Sequence, residues 1–579
     1  MFLRKVLRLC LLGLLLFGPG QAEEGLWPPG LFPEPMSPSL KRRVLQASVR
    51  LGHGGSGGLV SPHGLVVTNY HLVEPYLAGL GLENDGFLAG ANDEELACPG
   101  LSVELLDSFQ DVTAEVQARR AQGQSLSQLE SGYQSPGLKC QLVPLYGGLY
   151  YHLYRYRVYS DVRLVMVPEK ELAFFGGQQD NFVFPRACLD VAFLRIYDQG
   201  RPLANGEFFP WRRQGAKPGN WLWVAGSPVE TWRELTVAHL QYYRERRLPL
   251  HQAWLEAQAQ ALAEYARLYP ERAGRTAATA ALIDNSLAAV RAKLQLLSEP
   301  ALISDKEVEE SLVRQPGPWA VVAECLQRYR QFDRAYELLV ERAAFPRAFF
   351  AEDDPDLKRL RLQASLSMLG RFLGQDPAVE LCLQGRTPEQ LATELSQDPA
   401  ALESLRARLA GLRQDLGERY RREVGEPMEA AYLAINEARL ATSMRAPDAT
   451  GTLRVSVGKM LWGHTTLGDL FRKRRKARGA FPFDLPSGWL EAPGLHLEIP
   501  LNFVCGADSS SGSSGSPVLD SEGRLVGIHF DRDRPGLAGD FLYERERARN
   551  ICVHPAAVIE ALEVIYGGDS LVRELENAN

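Results

Sequence analysis

A glycine- and serine-rich segment near the end of the chain has residue types suited to nucleophilic catalysis. Residues Gly512–Pro517 read Gly-Ser-Ser-Gly-Ser-Pro between two β-type runs. A nucleophilic serine needs a tight turn that exposes its hydroxyl and aims two backbone N–H groups at one point, the oxyanion hole. Glycines permit such a turn because they adopt positive φ. A flexible linker could have the same composition. The run Pro517–Ile528, however, predicts a β-hairpin directly after the loop, which a free linker would not need. This favours a catalytic loop centred on Ser514.

A serine nucleophile requires a base and an orienting carboxylate. His71 follows the strand-like run Gly64–Thr68 and a Thr-Asn turn, so it is the predicted general base. Asp190 stands directly before the β-type run Val191–Tyr197, where its carboxylate could be held against the imidazole. By spacing alone, three further aspartates compete for the role of orienter: Asp107, Asp161 and Asp180.

Composition and charge limit the classes of protein to consider. The chain has 579 residues, of which 45% are hydrophobic and 23% are charged. This is an ordinary globular composition, so extended disorder is excluded, and the length predicts several domains. The formal net charge is −7, which gives no electrostatic footprint for a nucleic-acid partner.

The character of the sequence changes twice along the chain, and the changes predict the domain boundaries. Residues 23–235 carry short β-type runs punctuated by Gly and Pro, typical of a small antiparallel barrel or sandwich. Residues 236–445 have apolar positions at helical spacing and predict an α-helical domain. The β-type runs return in residues 446–579, which contain the serine loop. A long helical insertion between two β units suggests that the β units belong together and that the insert caps them. A coiled-coil rod is the alternative for the insert, and its many prolines and lack of sustained heptads disfavour it.

The first 22 residues have the features of a secretory signal peptide. Arg4, Lys5 and Arg8 precede the apolar run Leu9–Phe17, and a small-residue cleavage signal ends at Ala22. An uncleaved anchor is the alternative, but the run is shorter than the ~20 residues that a spanning helix needs. We therefore expect a periplasmic or secreted protein with no membrane association after cleavage.

Seven cysteines remain after residue 22, and none has a metal-binding spacing. An exported protein can form disulfides, so we expect one or two pairs and at least one free thiol. The sequence predicts no metal and no organic cofactor.

The order His71, Asp190, Ser514 is similar to that of the chymotrypsin-like double-barrel peptidases. More closely, the chain resembles peptidase family S46, the bacterial periplasmic dipeptidyl peptidases with a helical insert. The resemblance implies a mainly β catalytic double barrel with a large inserted α-helical domain. It rests on segments spread along the chain: Glu24–Trp27, Val60–Asn69, Phe175–Gly177, Asp180–Arg186, Pro447–Ala449 and Gly527–Asp531.

The resemblance implies a serine exopeptidase that releases dipeptides from the free N-terminus of peptide substrates and acts as a homodimer. Ser514 would be the nucleophile, with His71 and Asp190 completing the triad. The N–H groups of Gly512 and Ser514 would form the oxyanion hole. The substrate amine would be bound by four residues: Asp531 through its charge, Asn181 and Asn285 through hydrogen bonds, and Phe182 by packing beside them.

Arg532 is the expected determinant of specificity at the residue before the cut. In this family an arginine here resembles the branch that cuts after Asp or Glu, and a guanidinium can bind a carboxylate bidentately. Asp531 and Asp533 flank it and could neutralise it, although adjacent residues on a strand face opposite ways. Three other functions stay open: a broad or hydrophobic-specific dipeptidyl peptidase, an endopeptidase of the same fold, and a non-catalytic binding protein.

The chain departs from the usual family pattern at several places. The helical insert is shorter than usual, which weakens the transfer of a family role to Asn285 within it. Ser56 and Leu72 stand where the family commonly has a pair of cysteines, so the joint change indicates the loss of one disulfide. Three more positions differ from the usual residue: Phe182 for Trp, Tyr70 for His and Ser513 for Asn.

Overall fold

The chain folds into two units, as seen in a computed structural model that describes residues 25–82, 84–341, 353–442 and 445–577. The β-rich unit comprises the described residues up to Leu145, then Tyr150–Arg233, and those from Arg445 onward. The helical unit comprises Tyr146–Leu149 and the described residues of Glu234–Met444. The predicted signal peptide, residues 1–22, lies outside the described part of the chain.

The β-rich unit contains an eleven-stranded antiparallel sheet built from its N-terminal part. Its main path runs in the order β4-β9-β10-β3-β2-β1-β6-β8-β7, with β5 paired to β9 and β11 paired to β10. The strands are β1 (Ser48–Leu51), β2 (Ser56–Leu59), β3 (Leu65–Thr68), β4 (Phe87–Leu88), β5 (Leu96–Ala97), β6 (Val103–Asp111), β7 (Leu138–Leu145), β8 (Tyr150–Tyr159), β9 (Asp161–Val167), β10 (Ala192–Asp198) and β11 (Arg201–Pro202).

The same unit contains a closed six-stranded barrel in the order β12-β13-β14-β17-β16-β15. Alternate residues such as Leu222 and Val224, or Phe503 and Cys505, are buried in one cluster inside it. This period of two is what a barrel filled by side chains requires. The strands are β12 (Trp221–Gly226), β13 (Arg454–Thr466), β14 (Pro500–Cys505), β15 (Pro517–Leu519), β16 (Leu525–Arg532) and β17 (Asn550–Val553).

The β-rich unit and the inserted helical unit confirm the predicted fold class. Short helices pack on the β-rich unit. The N-terminal strand set is an eleven-stranded sheet, while the C-terminal set closes as a barrel. The α-helices of this unit are Pro38–Ala47, Tyr70–Leu77, Thr113–Ala121, Leu126–Gly132, Lys170–Ala173, Leu467–Ala477, Ser487–Glu491, Pro555–Val564 and Asp569–Asn577. Its 3-10 turns are Ala78–Leu80, Gly177–Gln179 and Pro535–Asp540.

The helical unit uses its prolines to begin helices. Asp354, for example, caps the helix Pro355–Leu373 by accepting the backbone N–H groups of Asp356 and Leu357. Proline suits a first helical turn because its missing N–H would have no partner there. The α-helices are Val237–Tyr242, Leu248–Leu268, Ala277–Leu297, Pro300–Ser311, Pro316–Tyr329, Asp333–Tyr336, Pro355–Leu373, Pro377–Leu383, Pro388–Gln397, Pro399–Tyr420 and Glu426–Thr442. The 3-10 segments are Tyr146–Gly148 and Pro270–Thr276, and the π-helical turns are Tyr243–Arg247, Glu337–Glu341 and Arg421–Gly425.

The expectation of one or two disulfides is wrong. All seven cysteines that the structure describes are free and buried. Cys505 and Cys552 both lie in the apolar interior of the barrel, and burial raises the pKa of Cys505 to about 12. These thiols act as small apolar core residues. Among the described helices, none is both long and apolar enough to cross a membrane.

Candidate active site

The pairing of β3 with β10 brings His71 and Asp190 to the same place. These strands run antiparallel with Thr68 opposite Ala192, so the residues that follow β3 lie beside those that precede β10. Asn69 fixes the junction, because its side-chain amide donates to the carbonyl of Asp190 at 2.8 Å. Helix Tyr70–Leu77 begins directly afterwards and carries His71 in its first turn.

Asp190 holds the backbone and the imidazole of His71 together. The His71 Nδ1 lies 2.6 Å from one carboxylate oxygen, and the His71 backbone N–H donates to the other at 3.2 Å. This arrangement places the proton on Nδ1 and leaves Nε2 as the base. Burial lowers the pKa of His71, but the Asp190 carboxylate outweighs it and the net pKa is raised.

The three competing aspartates each have another partner. Asp107 accepts from Arg157, Asp161 from Arg163, and Asp180 from Lys473. The structure therefore places Asp190 alone of the four against the imidazole of His71.

The serine loop has the backbone shape that its glycines permit. Gly512 has φ +89° and Gly515 has φ +83°. A Cβ at Gly515 would lie 1.9 Å from the carbonyl oxygen of Ser56, so only glycine fits without moving the loop. Within the described residues, the N–H groups of Gly512 and Ser514 donate to no protein acceptor. They are thus available as the two donors of an oxyanion hole.

Ser514 differs from the serines on either side of it. Ser513 is buried and its hydroxyl accepts the N–H of Ser510, while Ser516 is fully enclosed. The Ser514 side chain is half-buried, and its hydroxyl donates to the carbonyl of Phe530 at 3.5 Å, which is a weak contact. Among the described residues no hydrogen bond joins Ser514 to His71. Catalytic hydrogen bonds are often long or misaligned without substrate.

Ser56 joins the serine loop to β2, the neighbour of the strand that precedes the histidine. Its N–H donates to the carbonyl of Ser514 and its hydroxyl donates to the carbonyl of Gly512, both at 2.8 Å. The same hydroxyl accepts the N–H of Ser227 at 2.8 Å. Ser56 lies on β2, next to β3. This fully buried serine orders the loop by hydrogen bonds.

Asp531, Asn181 and Phe182 come together at the other end of the site. The Asp531 carboxylate accepts the N–H of Phe182 at 3.2 Å and lies 4.0 Å from the guanidinium of Arg186. Arg186 in turn donates to the side-chain oxygen of Asn181 at 3.1 Å. Burial raises the pKa of Asp531, and Arg186 opposes this only in part. A buried carboxylate of this kind favours an additional cation beside it.

Phe182 is held in an unusual backbone conformation. Its φ is +56°, which a non-glycine residue adopts at a cost of about 1–3 kcal/mol. Two contacts hold it there: its N–H donates to Asp531, and its carbonyl accepts the N–H of Arg534 at 2.9 Å. The structure thus fixes this loop against the strand end that carries Asp531.

Arg532 is buried and paired with a residue outside its immediate neighbourhood. Its Nη1 donates to Asp540 Oδ1 at 2.8 Å and to the carbonyl of Ser509 at 3.2 Å, and its Nη2 lies 3.5 Å from Asp540 Oδ2. The flanking aspartates do not neutralise its side chain, because Asp531 faces Arg186 and Asp533 faces Arg549.

Asn285 lies on helix Ala277–Leu297 of the helical unit, with an exposed side chain. The β-rich unit contains all the other predicted site residues, which are His71, Asp190, Ser514, Gly512, Asn181, Phe182, Asp531 and Arg532. Within the described part of the chain, no three His, Cys, Asp or Glu side chains are grouped as metal ligands.

Sequence reasoning gave no role to the counter-ions that complete this site. Arg186 belongs to the segment Asp180–Arg186, in which no motif indicates a counter-ion, and no motif indicates one at Asp540. A second buried pair, Arg233 with Asp508, adjoins the first, because Arg233 also donates to the carbonyl of Gly539 at 2.7 Å. Charged residues that are predicted to be buried in a β-rich segment are the one signal that could have pointed to them.

His529 also escaped the sequence analysis. It is buried under the serine loop, with Nδ1 3.0 Å from the carbonyl of Ser513. Burial lowers its pKa to about 4, so it is neutral and can donate this hydrogen bond.

A glycine-flanked loop serine with unused N–H donors and a histidine held by a carboxylate are the elements that serine peptidases use. The Peptidase S46 family model matches residues 32–343 and 374–577, and the chain belongs to this family. The resemblance that the sequence motifs carried is therefore confirmed.

Curated relatives span nearly the whole chain. The Asp/Glu-specific dipeptidyl-peptidase of Shewanella putrefaciens is 23% identical and is matched over 96% of this chain and 98% of its own length. Dipeptidyl-peptidase 7 of Porphyromonas gingivalis is 24% identical over 93% of this chain and 92% of its own. The crystal structure of Porphyromonas endodontalis DPP11 in complex with the dipeptide Arg-Asp superposes with a TM-score of 0.80. It is 19% identical and covers 99% of this chain and 98% of that one. This last likeness establishes the fold.

Proposed function

We propose that the protein is a serine exopeptidase that releases dipeptides from free peptide N-termini and prefers Asp or Glu as the second residue. Ser514 attacks the second peptide carbonyl, and Nε2 of His71 takes its proton. Asp190 keeps the other ring nitrogen protonated and stabilises the imidazolium. The histidine then protonates the leaving amine, and water hydrolyses the acyl-enzyme. The His71–Asp190 contact of 2.6 Å is the observation that carries this proposal.

The oxyanion forms where the loop presents its unused donors. The N–H groups of Gly512 and Ser514 bind the developing charge, and each such donor is worth about 2.7–4 kcal/mol of transition-state stabilisation. Ser56 holds the loop in that shape through both of its hydrogen bonds to loop carbonyls. The loop therefore needs no reorganisation when the tetrahedral intermediate forms.

Exopeptidase action requires a second site that binds the free amino group of the substrate. The α-amino group of a substrate has a pKa near 7.7–8.0 and is mostly cationic at neutral pH. Asp531 is buried and its pKa is raised, so an incoming ammonium group pairs with it favourably. Asn181 supplies a side-chain amide near Asp531. The N–H of Gly515 donates to the carbonyl of His529 at 2.8 Å, and this hydrogen bond connects the serine loop to the strand that carries Asp531. The role of Asn285 stays a prediction of the family resemblance.

The preference for an acidic second residue rests on the free edge of Arg532. A guanidinium has five N–H donors. Asp540 and Ser509 take those on the Nη1 side. Within the described residues, the Nε–H has no acceptor, and Nη2 has only its 3.5 Å contact to Asp540. Nε and Nη2 form one edge, and this edge fits a carboxylate side-on. The relatives named for Asp/Glu specificity support the same preference.

Broad or hydrophobic specificity is the second candidate, and the Arg532–Asp540 pair is the observation that favours it. Because the cation already has a counter-ion, a neutral substrate side chain would not leave it unpaired. A relative of comparable identity, dipeptidyl-peptidase 7 of Porphyromonas gingivalis, has a name that states no Asp/Glu specificity.

A panel of fluorogenic dipeptidyl substrates tests the proposal. Substrates with Asp or Glu in the second position should have the highest kcat/KM, and the N-acetylated versions should not be cleaved. Ser514→Ala should abolish turnover and labelling by a fluorophosphonate, whereas the matched Ser513→Ala and Ser516→Ala variants should keep both. If the highest kcat/KM is found with Phe, Leu or Met in the second position, the broad-specificity candidate is correct. Labelling of Ser514→Ala by the fluorophosphonate would show that the nucleophile is another residue.

We propose further that residues 1–22 direct export to the periplasm or the medium and that the mature enzyme is a homodimer. The export proposal rests on the sequence features of the segment, and the dimer on the family resemblance. N-terminal sequencing of the exported protein should begin at Glu23, and light scattering should give twice the chain mass. An unprocessed N-terminus or a monomeric mass would contradict them respectively.

A further inference from the structure

One helix of the β-rich unit carries a concentration of positive charge that the catalytic proposal does not use. Helix Leu467–Ala477 and the residue after it contain six cations within seven positions: Arg472, Lys473, Arg474, Arg475, Lys476 and Arg478. We call residues 472–478 the basic segment. The helix dipole favours cations in the last turn of a helix, but six neighbouring cations also repel one another. The whole chain, in contrast, has a net charge of −7. The segment is thus a local positive field on a negative protein.

Half of this charge is not neutralised by protein groups. Arg472 pairs with Asp469, Lys473 with Asp180 and Arg474 with Asp484. Arg475, Lys476 and Arg478 are exposed, and the described part of the chain offers none of them an ion pair. Their charge therefore faces solvent.

The basic segment lies against the loop of the amine site. Lys473 Nζ is 2.5 Å from Asp180 and 3.2 Å from the carbonyl of Pro185, and these two residues bracket Asn181 and Phe182. The residues that follow the helix are joined to the same loop, because the N–H of Gly176 donates to the carbonyl of Pro482 at 3.1 Å. A field at this position acts on whatever approaches the amine site, since screening at physiological salt acts over about 8 Å.

We propose that the basic segment attracts acidic peptides to the active site and raises their rate of association. This inference rests on the proposed function, which gives the site an acidic peptide as its substrate. A like-charged protein repels such peptides, so a positive region beside the site is what their capture requires. Steering of this kind acts on kcat/KM through association and weakens steeply with salt.

The test compares two peptides with the same first two residues. One continues with Asp and Glu and the other with Asn and Gln, so the dipeptide that is released is identical. The variant is the triple substitution R475Q/K476Q/R478Q. Its matched control is R201Q/K217Q/R573Q, which removes the same charge from three exposed cations of the β-rich unit. Arg201 follows the end of β10 opposite to Asp190.

At low ionic strength the R475Q/K476Q/R478Q variant should lower kcat/KM for the acidic peptide about five-fold with kcat unchanged. The neutral peptide should change much less, the control variant should behave as wild type, and 0.5 M NaCl should remove the difference. An equal loss for both peptides, or no loss for the acidic one, would overturn the proposal.

Binding measurements separate this proposal from the catalytic one. Fluorescence anisotropy with the inactive Ser514→Ala protein should show tighter binding of the acidic peptide, and this preference should disappear with R475Q/K476Q/R478Q. The result is readable even if no dipeptide is released. Vesicles containing anionic phosphatidylglycerol provide the other arm. Vesicle binding that depends on the three cations, without any preference for the acidic peptide, would assign the segment to a membrane surface and overturn its role in substrate capture.

Discussion

The guanidinium of Arg532 and the carboxylate of Asp540 form an ion pair inside the protein, with Nη1 2.8 Å from Oδ1. Arg532 is 7% exposed and Asp540 is 1% exposed. The residue that we propose to select acidic substrates is therefore held by a carboxylate of its own. The protein uses the Nη1 end of the guanidinium, and we propose that the Nε–Nη2 edge binds the substrate carboxylate.

Replacing Arg532 should remove the preference for acidic substrates. In Arg532→Gly the substrate carboxylate has no partner and also meets the negative charge of Asp540. Loss of one member of a desolvated charge pair costs about 2–5 kcal/mol, or about 30-fold or more in kcat/KM. Steady-state kinetics with Asp and Ala as the second residue measure it. Arg524→Gly is the control, since Arg524 pairs with Asp520 at the far end of the same hairpin. An unchanged Asp-to-Ala ratio in Arg532→Gly would make this arginine a bystander.

Replacing Asp540 should destabilise the β-rich unit. Asp540→Ala leaves a buried guanidinium without its counter-ion, which typically costs about 3–5 kcal/mol of the unfolding free energy. Urea denaturation followed by tryptophan fluorescence measures the loss. The double variant Arg532→Met/Asp540→Ala should lose less than Asp540→Ala alone, because no unpaired charge remains. A double variant that is less stable than either single variant would show that packing, not charge, dominates here.

Local motifs in the sequence are enough to predict roles for some residues. The serine loop and the Thr-Asn-x-His turn are short and specific, so Ser514 and His71 could be predicted. Asp190 was one of four candidates by spacing, and the register of β10 against β3 is what places it beside the imidazole.

The counter-ions could not be predicted because they arise from long-range packing. Asp540 ends a 3-10 turn, and nothing in the sequence near it indicates that it meets Arg532. The disulfide expectation failed for the same reason: export permits disulfides, but the fold buries all seven described cysteines as free thiols. In the insert, prolines such as Pro355 and Pro399, which interrupt the helical pattern in the sequence, are the first residues of helices.

The acidic limb of the pH profile should report His71. The base must be neutral, and Asp190 raises the pKa of His71 against the effect of burial. The activity should therefore fall as the pH drops through a value above the ordinary 6.5 or so of histidine. Asp190→Asn removes the largest of the causes that raise the pKa of His71, so the limb should move to lower pH. The value of kcat should fall by a factor on the order of 10⁴. A limb that stays in place in Asp190→Asn would assign it to another group.

Gly515 should tolerate no side chain. A Cβ there would lie 1.9 Å from the carbonyl oxygen of Ser56 and 2.5 Å from the hydroxyl of Thr68, so the loop that carries Ser514 must shift. A displacement of about 1 Å in a reacting group can cost on the order of 10²-fold in rate. We expect Gly515→Ala to lower kcat by at least that factor. Gly506→Ala is the control, because the nearest atom to its Cβ is 3.5 Å away. Wild-type kcat in Gly515→Ala would show that the loop geometry does not matter as described.

We propose that Asp531 binds the free N-terminal amino group of the substrate and thereby places the cut after the second residue. The most direct test is mass spectrometry of the products from one peptide with Asp in second place, supplied with a free or an acetylated N-terminus. We expect release of the N-terminal dipeptide from the free peptide and no cleavage of the acetylated one. Asp531→Asn should lower kcat/KM about 30-fold or more, because loss of one member of a desolvated charge pair costs about 2–5 kcal/mol. Cleavage of the acetylated peptide at a comparable rate, or release of a single residue from the free one, would contradict it.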